Sequence, residues 1–102
     1  MSLPVRTTRE SDEQIRQIDD WWRTNRPTAP DLFLHELTTA FEIIGDAPYI
    51  GRAYRRSPIP ATRRFLLAAC RYHVYYVPQT SDVIVLAVWH ARRGAGPPLR
   101  VS

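Results

Sequence analysis

Fourteen arginines, three histidines and one cysteine supply most of the reactive chemistry in a 102-residue sequence that contains no lysine. An arginine guanidinium presents five donors in a planar fork that matches phosphate and carboxylate oxygens, and it holds its proton too tightly to act as an acid or base near neutral pH. The sequence is therefore rich in groups that bind anions and poor in groups that move protons. A nucleotide composition rich in G and C would give the same arginine preference without any selection for chemistry. His35 and His73 read as structural residues, and Cys70, near a hairpin turn with no metal-spaced partner, reads as an inert thiol. No Walker motif, zinc-type spacing or glycine-rich phosphate loop occurs, so neither a metal nor a cofactor is expected.

The charges are unevenly placed. Residues 1–46 carry nine acidic side chains against five arginines, a balance of −4, whereas residues 47–102 carry nine arginines against Asp82 alone, a balance of +8. A C-terminal half this basic attracts a polyanion or an acidic protein segment, unless the two halves neutralise each other across the fold. The 44% apolar content is that of a globular chain, and 102 residues suit one domain, with residues 94–102 expected to form a flexible tail rich in glycine and proline. The strongest apolar runs, 65–70 and 83–89, are too short to cross a bilayer, and the N-terminus has no signal-peptide core. A cytoplasmic protein without a membrane anchor is expected.

The elements that must position these residues follow from periodicity. Leu3 to Thr7 reads as a short edge strand that tolerates Pro4. Ser11 and Gln14 match a capping box, and Ile15, Ile18 and Trp22 then recur at helical spacing, giving a helix from about Arg9 or Ser11 to Asn25. Pro30 suits the first position of a second helix, Phe33, Leu37, Ala40, Phe41 and Ile44 mark its apolar face, and Gly45 stands where a C-terminal cap belongs. The short connection makes the pair an antiparallel hairpin, with Trp21, Trp22, Phe33 and Phe41 as its packing residues. Residues 46–61, broken by Pro48, Gly51, Pro58 and Pro60, read as a loop. Thr62–Ala68, Arg71–Val77 and Val83–His90 then form an antiparallel meander, with Tyr72, Tyr75 and Tyr76 packing its faces. Arg63 and Arg64 must point to opposite faces of their strand. The result is an α+β fold, β-α-α-β-β-β, with a helical hairpin packed on a twisted, mainly antiparallel sheet.

Four stretches in this order resemble the RelE/ParE superfamily of toxins from bacterial type II toxin–antitoxin modules. They are Ile-Asp-Asp-Trp-Trp at 18–22, Ala-Pro-Tyr-Ile-Gly-Arg at 47–52, Arg-Tyr-His-Val-Tyr-Tyr at 71–76 and Val-Leu-Ala-Val-Trp-His-Ala-Arg-Arg-Gly at 85–94. The resemblance implies a growth inhibitor held silent by a cognate antitoxin, which alone contacts operator DNA. The ending His90-Ala91-Arg92-Arg93 is similar to the ParE-like branch, which implies inhibition of DNA gyrase, with Arg63, Arg64, Arg71, Arg92 and Arg93 binding the target or the antitoxin. A RelE-like alternative implies ribosome-dependent mRNA cleavage, with Arg71 or Arg64 on the scissile phosphate and His90 as acid or base. The absence of lysine rules out the lysine-dependent form of that chemistry. A member without toxic activity that still binds an antitoxin is the third possibility.

Overall fold

The strand-to-helix junction at Thr8 sets the geometry of the whole molecule. In the computed structural model, which describes residues 2–92 and 96–99, β1 (Val5–Thr7) ends one residue before α1 (Arg9–Asn25) begins. Thr8 is therefore the first residue free to cap. Its backbone is extended and its hydroxyl oxygen accepts from the Ser11 N–H at 3.2 Å, as an N-cap requires. The expected Ser11–Gln14 capping box does not form. Ser11 is instead buried in the first turn, its Oγ 2.9 Å from the Thr8 carbonyl and 3.1 Å from that of Val85, while the Gln14 side-chain oxygen accepts from the Val88 N–H at 2.9 Å.

The second helix, α2 (Leu32–Asp46), also departs from its expected ends. Pro30 is not its first residue, because turns in which Ala29 N–H donates to Arg26 and Leu32 N–H donates to Ala29 take up the connection first. Gly45 is not a cap, since the helix continues through Asp46 and none of the described glycines has a positive φ. Its small size serves a close approach instead. The Leu3 N–H donates to the Gly45 carbonyl at 2.9 Å, and a Cβ on Gly45 would sit 2.8 Å from the Leu3 oxygen. Phe33, Leu37, Ala40 and Ile44 are buried as their spacing requires, and Phe41 packs at the margin. Trp22 is buried, but Trp21 is 45% exposed, because consecutive residues on a helix cannot share one face.

Five strands form one sheet in the order β1-β5-β4-β3-β2, with β1 parallel to β5 and the other pairs antiparallel. β3 (Arg63–Leu67), β4 (Tyr72–Pro78) and β5 (Val83–His90) are the expected meander. The loop expected over 46–61 contains one further strand, β2 (Arg52–Ala53), whose two residues pair with Arg64 and Arg63 at the sheet edge. Such a short edge strand lies between the glycine and proline residues that disguise it in the sequence.

The helices cover one face of the sheet. Leu67, Val74, Tyr76, Val83, Val85 and Val88 meet Trp22, Phe33, Leu37 and Ile44 there. The opposite face holds a smaller cluster of Tyr75, Leu86, Ala87 and Leu99, flanked by Tyr54, Ile59, Val77, Ile84 and Trp89. Of the tail at 94–102, residues 94, 95 and 100–102 lie outside the described set. Pro97 and Leu99 are buried against this second face.

One irregularity decides which side chains face which way. Tyr75 pairs with Ala87 but Tyr76 pairs with Val85, so Leu86 is an extra residue in β5. Leu86 and Ala87 both belong to the second cluster, and beyond them the alternation is reversed. The side chains and backbone of the first turn of α1 hold this bulge. Thr8 N–H donates to the Val85 carbonyl at 3.1 Å beside Ser11, and Gln14 takes the Val88 N–H.

Candidate functional site

Register divides the two arginines of β3 between the faces, as alternation requires. Arg63 pairs with Tyr76, whose ring is fully buried on the helix side, and its guanidinium donates to the carbonyls of Gly51 at 2.7 Å and Tyr49 at 3.2 Å. It also lies over the Tyr49 ring at 5.0 Å. Arg63 thus fastens the segment before β2 to the sheet. The same segment is held by Tyr76, whose phenolic oxygen accepts from the Gly51 N–H at 2.9 Å; burial pushes the Tyr76 hydroxyl pKa up. Gly51 must lack a side chain here, because a Cβ would fall 2.6 Å from that oxygen and 2.8 Å from the Arg64 carbonyl.

Arg64 pairs with Arg52 and Tyr75 and faces the open side. Its guanidinium lies 5.5 Å from the Tyr54 ring centre and hydrogen-bonds the Tyr75 hydroxyl, whose pKa is nevertheless raised, mainly by burial. Around it opens a cleft of about 460 Å³, lined by Arg52, Tyr54, Arg55, Arg56, Arg64, His73, Tyr75 and His90, with Ala53, Ala91 and Gly96 completing its walls. His73 stands edge-on to Tyr75 at 5.9 Å. Partial burial lowers its pKa, and the charges of Arg64 and Arg71 lower it further, so the imidazole is neutral at pH 7.

Arg71 reaches this field from the β3–β4 turn, one residue before the strand in which it was expected. Its backbone is left-handed, at φ 67°, a conformation that costs a residue with a Cβ about 1 kcal/mol or more. Glu36 on α2 holds the turn in place, one carboxylate oxygen accepting from the Ala69 N–H at 2.8 Å and the other from the Cys70 N–H at 2.9 Å. Burial and the nearby Glu36 push the Cys70 thiol up to about 12.

His90, at the end of β5, lines the same cleft as Arg64. It pairs with Tyr72, and their rings meet edge-on at 5.2 Å, while Tyr72 in turn packs on Phe33 of α2. Contact with Tyr72 turns the His90 ring toward the helix side, while the residue still lines the arginine cleft at the strand end. Its Nδ1 accepts from the Arg92 N–H at 3.1 Å. A second cleft, of about 310 Å³, lies beside it between α1 and β5, with Gln14, Ile18, Trp21 and Tyr72 among its walls. Arg92 is exposed just past β5, and Arg93 lies outside the described residues.

The open cleft thus gathers Arg64 and His90 and the field of Arg71 from the expected set. It adds Arg52, Tyr54, Arg55, Arg56 and His73, which sequence reading left in a loop or assigned to structure. The signal for His73 was present: it shares strand parity with Tyr75 and precedes the bulge-shifted pairing. The acidic residues of the helices do not neutralise this face. Glu13 pairs with Arg16, Asp19 and Asp31 pair with Arg23, and Asp82 pairs with Arg6 at 3.1 Å. Among the described residues, no ion pair involves an arginine of the open cleft.

Comparison with known proteins places this arrangement. The model of a family described as "ParE toxin of type II toxin-antitoxin system, parDE" matches residues 5–94. Among solved structures, a chain of the "Chromosomal ParDE TA system from P. aeruginosa" superimposes with a TM-score of 0.68, covering 89% of this chain and 98% of that one at 15% identity. That likeness is one of fold. No curated protein sequence gives a significant match.

Proposed function

The chain belongs to the ParE toxin family of type II toxin–antitoxin systems, and on that premise we propose that it arrests growth by binding DNA gyrase and is silenced by a cognate antitoxin. The observation that carries the reading is the makeup of the open face. Arg52, Arg55, Arg56 and Arg64 line one cleft without a carboxylate among its walls. Guanidinium groups hold a partner's acidic or phosphate groups well, but they cannot shuttle protons at neutral pH. The face is thus equipped for binding more than for acid–base catalysis. Arg92, exposed beyond β5, extends the same cationic surface; Arg63 is committed to the fold, so its role in target binding is indirect.

Purified gyrase with relaxed plasmid tests this reading. Toxin at slight molar excess should block supercoiling, and the antitoxin should restore it. Arg64→Ala should raise the toxin concentration needed for half-inhibition about tenfold, in line with loss of one charge-assisted contact. Normal supercoiling at a large excess of toxin would refute gyrase as the target.

One observation favours the RelE-like reading in a modified form. His73 stands beside Arg64, and as a neutral imidazole it could accept the proton of a ribose 2′-hydroxyl while Arg64 or Arg71 holds the phosphate. Tyr54, Tyr75 and His90, which also line the cleft, are the groups available there to protonate the leaving oxygen. This reading expects codon-phased mRNA cleavage in a translation reaction, lost in His73→Ala; intact message excludes it.

A further inference from the structure

The arginine cleft is not an isolated hole. A second depression of about 350 Å³ lies beside it and shares Arg52, Arg64 and His73, while its remaining floor is supplied by Ile50, Phe65 and Leu66. The three shared residues form a ridge with an arginine pocket on one side and an apolar shelf on the other. Ile50 and Leu66 on that shelf are 52% and 38% exposed, and neighbouring Tyr49 is 69% exposed.

This juxtaposition has a specific chemical fit. Repeated positive charges at a ridge match repeated negative charges on a chain, and adjoining apolar surface accepts flat rings that alternate with those charges. Arg52, Arg55 and Arg56 come from β2 and the loop that directly follows it and Arg64 from β3, so two stretches of the chain converge on one track. The mutual repulsion of four guanidinium groups is relieved by no acid in the cleft, which leaves a ligand to supply the opposite charge. Tyr54 under Arg64 fixes the direction of that fork toward the opening.

We propose that this track binds single-stranded nucleic acid, with the phosphodiester backbone along Arg52, Arg55, Arg56 and Arg64 and one or two bases on the shelf formed by Ile50 and Leu66. The activity belongs to the chain alone and does not depend on which macromolecule the toxin inhibits. The bound strand is DNA or RNA, which share the backbone chemistry the arginines recognise. His73 adds a charge to the ridge only when protonated, so binding tightens as the pH is lowered.

Fluorescence anisotropy of the full chain with labelled twelve-nucleotide single strands tests the proposal, with DNA and RNA of the same sequence as separate arms. Three or four phosphate contacts predict that log K falls with log salt at a slope of about −2 to −3, at roughly 0.7 per contact. Arg52→Ala and Arg55→Ala, both exposed and outside the cores, should each weaken binding roughly fivefold and reduce the slope by about 0.7. Arg16→Ala removes the same charge on α1 and should leave both unchanged. Leu66→Ser should weaken binding with no change in slope. Binding of either strand with this pattern supports the proposal. An equal loss in Arg16→Ala would reduce it to net-charge attraction, and a poly-glutamate chain that competes as well as the nucleic acid would assign the track to an acidic protein segment; either result overturns it. Circular dichroism of each variant separates lost binding from lost folding.

Discussion

Glu36 offers the sharpest test of how the fold serves the open face. It ties α2 to the β3–β4 turn that carries Arg71, and both of its oxygens are used, on the N–H groups of Ala69 and Cys70. Hydrogen bonds to an ionised acceptor contribute about 1.5–3 kcal/mol each, and the Ala69 bond is at the low end because it is exposed to water. Glu36→Ala removes both acceptors and leaves the part-buried Cys70 N–H without a partner, so the expected loss is about 2–3 kcal/mol. For a domain of this size that corresponds to a fall of roughly 10–20 °C in Tm. Glu36→Gln keeps one oxygen and loses the charge, and should cost about half as much. Urea unfolding followed by tryptophan fluorescence measures both. A loss below about 0.5 kcal/mol in Glu36→Ala, or equal losses in the two variants, would show that the turn holds itself and that the carboxylate is incidental.

Three further outcomes follow from the same geometry. Arg71→Gly relieves a left-handed residue at φ 67°, so folding stability should change by between zero and about +1 kcal/mol while action on the target weakens; a loss above about 1 kcal/mol would mean the side chain supports the fold. The lowered pKa of His73 means that the unfolded chain binds a proton more readily than the folded one, so its contribution to stability is present above pH 6.5 and lost as the pH falls through the lower folded value. The wild type should therefore lose stability between pH 7 and 5 more steeply than His73→Gln, and parallel curves would discount the effect. With its pKa near 12, roughly one Cys70 thiol in ten thousand is ionised at pH 8, so a thiol reagent should label the folded chain far more slowly than the urea-unfolded chain, and matching rates would contradict the burial.

Most of the fold was legible because it rests on periodicity. The apolar face of α2, the three strands of the meander and the opposite directions of Arg63 and Arg64 all follow from spacing that burial enforces. Features that rest on tertiary approach were not legible. Gly45 looks like a cap until β1 is seen crossing it, and Arg52–Ala53 looks like loop until β3 lies beside it. Ser11 looks like an N-cap until the end of β1 moves that role to Thr8.

One irregularity in β5 decides which of its side chains turn to each face. Counting in twos from Val83 and Val85, which face the helices, puts Trp89 on the helix side and His90 on the open side. The extra residue Leu86 inverts that count, so Val88 and His90 turn to the helices and Trp89 turns outward. β4 keeps its own alternation, which leaves His73 and Tyr75 facing out with Arg64. The bulge is maintained by Thr8, Ser11 and Gln14, polar residues whose partners are backbone groups of β5 and which carry no sign of that role in the sequence. Thr8, Ser11 and Gln14 at the start of α1 thus hold the irregularity that sets which way His90 turns at the end of β5. Partial burial first, and the charges of Arg64 and Arg71 second, lower the pKa of His73 on that face. The arginines of that face present guanidinium forks suited to holding anions, with no carboxylate among the walls of their cleft.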